Sequence, residues 1–169
     1  IDLANQHTNS SLVFKENTHL VEKNWVMFNE NNRLNIIYQW YPLTIGEYNK
    51  NDANEVQFVT TNTITTPSFF KLMRGSTNGI IIGDEIWFIT HLVSDEDRRY
   101  YYHNFVVLDK NTYEVKKYSN IFTFEGCKIE YTLGFIYMEK DDRFVIGYST
   151  NDCTTKYMAI DKEKVEQLF

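Results

Sequence analysis

Basic charge, cysteine, alanine and long apolar runs are all scarce in this chain of 169 residues, and each scarcity excludes something. Seventeen lysines and arginines lie scattered against 23 acidic residues, a net charge of −6, so the electrostatic footprint of a nucleic-acid binder is missing. Two cysteines without a Cys-x-x-Cys spacing, Cys127 and Cys153, make neither a disulfide scaffold nor a zinc site. Two buried thiols are the expectation there. No apolar run approaches the ~20 residues of a membrane span. The longest, Gly79 to Ile82 and Ile86 to Ile89, is broken by Gly83-Asp84-Glu85. The chain reads as soluble, with the cytoplasm the assumed compartment and neither membrane nor nucleic acid among its partners. No Gly-x-Ser-x-Gly, phosphate-cradling glycine loop, His-Glu-x-x-His or calcium loop is present. No cofactor is expected.

What the chain has in excess is strand-forming side chains. Forty-two Val, Ile and Thr and 27 aromatic residues make 69 of 169, while alanine occurs three times, so β structure is the default. Helical periodicity is confined to the carboxyl end, where Asp161 to Leu168 reads as about two turns opened by an Asp cap. Asn49 to Asn54 reads as a mobile polar loop, the best internal linker. The richness in Asn, Lys, Ile and Tyr hints at an A+T-rich coding genome.

One pattern recurs three times: an apolar strand, a short polar turn and a second apolar strand. It runs over 25–28, 29–33 and 34–40, then over 79–82, 83–85 and 86–91, and again over 134–138, 139–143 and 144–148. The matched strand ends Tyr38, His91 and Tyr148 are followed by further strand-like segments. The arithmetic is that of propeller blades, with repeat units at about 21–66, 74–122 and 127–162 after an amino-terminal segment 1–20. An ordinary antiparallel meander or sandwich fits the same pattern.

Several strings are more specific than strand propensity. In order they are Glu22-Lys23-Asn24-Trp25, Tyr38-Gln39-Trp40-Tyr41-Pro42, Arg74-Gly75-Ser76-Thr77-Asn78, His91, Tyr100-Tyr101-Tyr102-His103, Ile129-Glu130-Tyr131 with Gly134, and Gly147-Tyr148-Ser149 leading to Asp152. Over roughly Val21 to Leu168 they resemble the later blades of five-bladed propeller carbohydrate enzymes of the mannoside phosphorylase and mannosidase type. The resemblance implies an all-β fold of about three antiparallel sheets of three to four strands. It also implies a glycan or sugar phosphate as ligand, with inorganic phosphate as a co-substrate.

Carried over residue by residue, the resemblance makes Lys23 and Arg74 binders of phosphate or a sugar hydroxyl, a role suited to an Arg fork and a mobile Lys charge. Solvated strand-edge charges are the plain alternative. His91 and His103 become donors to sugar or phosphate oxygens, against structural packing. Glu130 becomes a carboxylate that organises the central funnel, against pairing with an Arg, and Asp152 matches a family aspartate, against an Asx turn. Tyr38, Trp40, Tyr101 and Tyr148 suit stacking on a pyranose. The family's proton-donating aspartate lies in an earlier blade and nothing in this chain matches it, so phosphorolysis by these residues alone lacks its acid. The chain opens Ile1-Asp2-Leu3 without an initiator methionine, and the expectation is the carboxyl-terminal part of a longer fold that docks its missing blades or a protein partner. A non-catalytic interaction module is the second reading.

Overall fold

The computed structural model describes residues 12–15, 20–30, 32–50, 55–95 and 99–169. It is built of strands in three sheets, with one short α-helix among the described residues, which bears out the all-β expectation. No helix among them is long and apolar enough to cross a membrane.

The first sheet contains β1 (Val13–Phe14), β2 (Val26–Glu30), β3 (Arg33–Trp40), β4 (Leu43–Lys50) and β5 (Val56–Ile64), in the order β1-β5-β4-β3-β2. Four of its strands form an antiparallel meander; β1 joins the outer edge in parallel, Val13 opposite Val56. The sheet is therefore one strand larger than expected, because two residues ahead of the meander pair with an otherwise open edge. Asn49 and Lys50 of the supposed linker end β4, and 51–54 lie outside the described residues.

The second sheet contains β6 (Arg74–Gly75), β7 (Ile80–Ile82), β8 (Glu85–Asp95), β9 (Arg99–Asp109) and β10 (Val115–Tyr118). Both β6 and β7 pair with β8, which pairs in full register with β9. The unbroken run Ile86 to Ile89 is apolar because this strand is covered on both faces. Ile86 and Phe88 point with Val106 and Leu108 into a core shared with Val26, Phe28, Trp40 and Ile45 of the first sheet. Trp87 and Ile89 point the other way with Phe105 and Val107, onto Phe135, Phe144 and Ile146. Period-two alternation thus assigns each side chain to one of two cores.

The third sheet, β11 (Glu130–Met138), β12 (Arg143–Thr150) and β13 (Thr154–Asp161), is a three-stranded antiparallel meander. Its inner face supplies Phe135, Phe144 and Ile146 to the second core, while Leu133, Ile136, Met138 and Tyr157 are exposed. Helix α1 (Lys162–Glu166) follows, shorter than expected. Asp161 precedes it without capping it; the carboxylate instead accepts from Arg143 Nε at 2.5 Å across the β12–β13 pair. The charged partner outcompetes the backbone donors of a five-residue helix. The expectation of two buried thiols also fails: Cys153 lies in the exposed turn between β12 and β13, and Cys127 is half-buried in the loop before β11.

Candidate functional site

Strand register brings three of the expected site residues into one row. Arg74 pairs with His91 across β6 and β8, and His91 pairs with His103 across β8 and β9. Directly opposed residues share a face. This row continues the parity of Ile89 and Phe105, so the two imidazoles face the third sheet. There the His91 ring lies 5.3 Å from Tyr131 and 5.9 Å from Tyr101, centroid to centroid. Its Nδ1 is 2.7 Å from Ser76 Oγ. His103 is sealed at 0% exposure, with Nδ1 3.1 Å from Thr132 Oγ1 and the Phe124 ring at 4.9 Å.

Electrostatics keeps both rings neutral. Burial pushes His91 down to about 4, helped by the charges of His103, Arg74 and Lys23. Burial likewise pushes His103 down to about 4, with a backbone contact to Glu130 opposing it. Arg74 stands opposite His91 on β6, and the charges of Arg74 and Lys23, which come from different segments, both disfavour the protonated ring.

Arg74, Lys23 and Tyr38 also line one cavity of about 380 Å³ between the first sheet and the start of β6. Glu22, Trp25, Trp40, Tyr41 and Lys71 contribute to the same walls. Close packing at Gly75 sets the joint: a Cβ there would stand 2.5 Å from the Asn24 backbone oxygen. The tight approach of β6 to the segment before β2 therefore requires glycine. No ion pair joins Lys23, Lys71 or Arg74 to a carboxylate among the described residues. Three cations thus face a single cavity, whose one carboxylate, that of Glu22, accepts from the Tyr38 hydroxyl at 2.7 Å.

The remaining expected residues are dispersed. Glu130 is fully buried and accepts from the backbone N–H groups of Phe124, Glu125 and Cys127 at 2.6, 2.9 and 2.7 Å. It shapes the loop ahead of β11 from inside, where sequence reasoning offered a funnel carboxylate or an Arg partner. Asp152 lies in the β12–β13 turn at φ 54 and lines a separate cavity with Tyr131, Leu133 and Ser149. Tyr131 belongs to both surroundings, so Asp152 is one aromatic ring away from His91.

Of the stacking aromatics, Tyr148 lies flat on Phe124 at 4.2 Å and donates its hydroxyl to Glu125. Trp40 packs edge-on against Phe88 in the first core. Tyr38 is enclosed by Trp25 and Phe58, and Lys15 Nζ stands 4.1 Å over its ring. Sequence reasoning missed Lys71, Ser76, Trp25 and Tyr41 as site residues. Three of these stood inside quoted motifs, but Lys71 sits on the 3-10 turn Ser68–Leu72, which strand periodicity does not reach.

No family model matches the chain, and no curated protein matches it by sequence. Solved structures do. A hypothetical protein from Leishmania major matches with a TM-score of 0.53 and 14% identity, covering 83% of this chain and 51% of its own. A mannose phosphorylase from Leishmania mexicana, in complex with phosphate ion, matches with a TM-score of 0.51 at the same identity and coverage. The chain spans about half the length of these two structures. At this identity the likeness is one of fold: the three sheets share their arrangement with part of a mannose phosphorylase.

Proposed function

We propose that this chain is a carbohydrate-active propeller segment that binds a glycan or sugar phosphate as the later blades of a glycoside phosphorylase-like or hydrolase-like protein. One observation carries the reading: Lys23 and Arg74, from different segments, face one aromatic-walled cavity with no carboxylate partner among the described residues, and Arg74 pairs with the neutral His91 across β6 and β8. Unpaired cations converging on a cleft attract an oxyanion, Arg through two parallel N–H donors and Lys as a point charge. Trp25 and the exposed Tyr41 offer apolar ring surface for the C–H face of a sugar held by that oxyanion. The phosphate held by the matched phosphorylase supports the same ligand chemistry.

The chain's residues account for binding and not for proton donation. Glu130 is committed to three backbone donors and Glu22 to Tyr38, so neither carboxylate is placed as a general acid. In this reading the acid that glycosidic cleavage requires comes from outside these residues. Titration of inorganic phosphate and mannose 1-phosphate, followed by calorimetry and 31P NMR, tests the proposal. Saturable binding is expected, weakened about tenfold or more by Arg74→Ala or Lys23→Ala with the fold retained. Equal affinity in both variants overturns it.

The second reading, a module that docks a protein partner, is favoured by the outer face of the third sheet. Leu133, Ile136, Met138 and Tyr157 are exposed there, Tyr157 at 76%. An apolar sheet face of this kind is an interaction surface or a liability. Loss of phosphate binding together with partner capture through Ile136 would favour that module over the carbohydrate reading.

A further inference from the structure

Ser76 is held more firmly than a loop hydroxyl needs to be. On one side of it Arg74 and Gly75 are paired to β8. On the other, Thr77 N donates to Ile89 O at 3.2 Å while Thr77 Oγ1 accepts from Ile89 N at 2.9 Å. Asn78 Oδ1 then accepts from Met27 N at 3.0 Å, tying the loop to the first sheet. Ser76 Oγ is therefore a fixed point, and it lies 2.7 Å from Nδ1 of His91.

The imidazole is equally constrained. It is 3% exposed, stands between the rings of Tyr101 and Tyr131, and has Arg74 opposite it on β6 and His103 opposite it on β9. Ser76 is the hydrogen-bond partner of the His91 ring, through Nδ1, and Nε2 has none among the described residues. A neutral imidazole carries one proton on one of its two nitrogens, and the partner of the first nitrogen decides whether the second donates or accepts. Burial keeps a second proton off the ring, and the charges of His103, Arg74 and Lys23 add to it.

Resting on the oxyanion reading of the cavity, we infer that Ser76 is a positioning residue: its hydroxyl donates to His91 Nδ1 and fixes the tautomer that presents Nε2–H to the anion held by Arg74 and Lys23. An anion requires donors, and the other tautomer would turn a lone pair toward it. Arg74 and Lys23 supply charge; Ser76 makes His91 a third, uncharged donor of set direction. Phosphate then meets the same donor set at any pH at which His91 is neutral.

Long-range 1H–15N NMR of the uniformly labelled protein reads the tautomer directly. The expected wild-type spectrum has a pyridine-like His91 Nδ1 and a pyrrole-like Nε2. Ser76→Ala mixes the tautomers and weakens inorganic phosphate about tenfold, and Ser76→Thr restores both. A wild-type ring protonated at Nδ1 overturns the role of Ser76, as does a Ser76→Ala protein that binds phosphate as tightly as wild type. Should Ser76→Ala not fold, the wild-type spectrum and the Ser76→Thr affinity still decide. A wild-type protein with the expected tautomer that binds no phosphate overturns the oxyanion reading itself, and the inference with it.

Discussion

Two buried histidines paired across β8 and β9 give the fold a pH dependence whose sign their surroundings set. Each ring has an ordinary pKa of 6.5 and a folded one of about 4, lowered first by burial. Between those values the unfolded chain binds protons that the folded chain refuses. Their contribution is intact above pH 6.5, falls as pH drops, and is fully lost near pH 4. On the order of 3 kcal/mol per ring is at stake. Urea unfolding at pH 7, 5.5 and 4.5 should show midpoints falling steadily, and His91→Gln with His103→Gln should flatten the trend. A wild-type midpoint independent of pH across that window would sink the assignment. At this scale the sequence revealed where a polar side chain ends an apolar strand, as with His91. It also required the Glu130 carboxylate to be satisfied. It did not reveal by what, because three backbone donors of the loop around Gly126, at φ 72, belong to an irregular turn outside any period.

Elements that repeat every two residues were legible to within a few positions, and the exceptions have physical causes. The second apolar run and its partner form β8 and β9 because alternate side chains serve alternate cores. The helix was read at the right place and for the wrong reason, since Asp161 turns to Arg143. What holds α1 instead is Val165, 0% exposed in the second core, with Lys117 bridging Glu166 at 2.5 Å and lying 4.8 Å over the Trp87 ring. A helix of five residues has little stability of its own, so tertiary contact must supply it. Val165→Ala should therefore cost about 1–3 kcal/mol in urea unfolding, while Lys162→Ala, which removes a half-buried i,i+4 ion pair with Glu166 and a cation 5.5 Å over the Trp87 ring, should cost under about 1 kcal/mol. Comparable losses in the two variants would mean that the ion pairs, and not the apolar anchor, dock the helix.

At the scale of the whole molecule the second sheet is the common wall of both cores, and that placement dictates how the protein should come apart. Phe88 lies in the core shared with the first sheet, and Phe144 lies on the far side of the second core, in β12. Both are fully buried, so truncating either to alanine costs about 3–5 kcal/mol. The losses should be distributed differently. Phe144→Ala removes packing between the second and third sheets and leaves the first core untouched. Phe88→Ala loosens the wall on which both cores are built. Hydrogen exchange read by mass spectrometry distinguishes the two. Phe144→Ala should speed exchange in β11, β12 and β13 with β2 to β5 near wild type, and Phe88→Ala should speed it in all three sheets. Equal deprotection of the first sheet by Phe144→Ala would show that the three sheets open only together. Because Lys23 and Arg74 meet where the first and second sheets adjoin, the first outcome also predicts that phosphate affinity survives Phe144→Ala and is lost with Phe88→Ala.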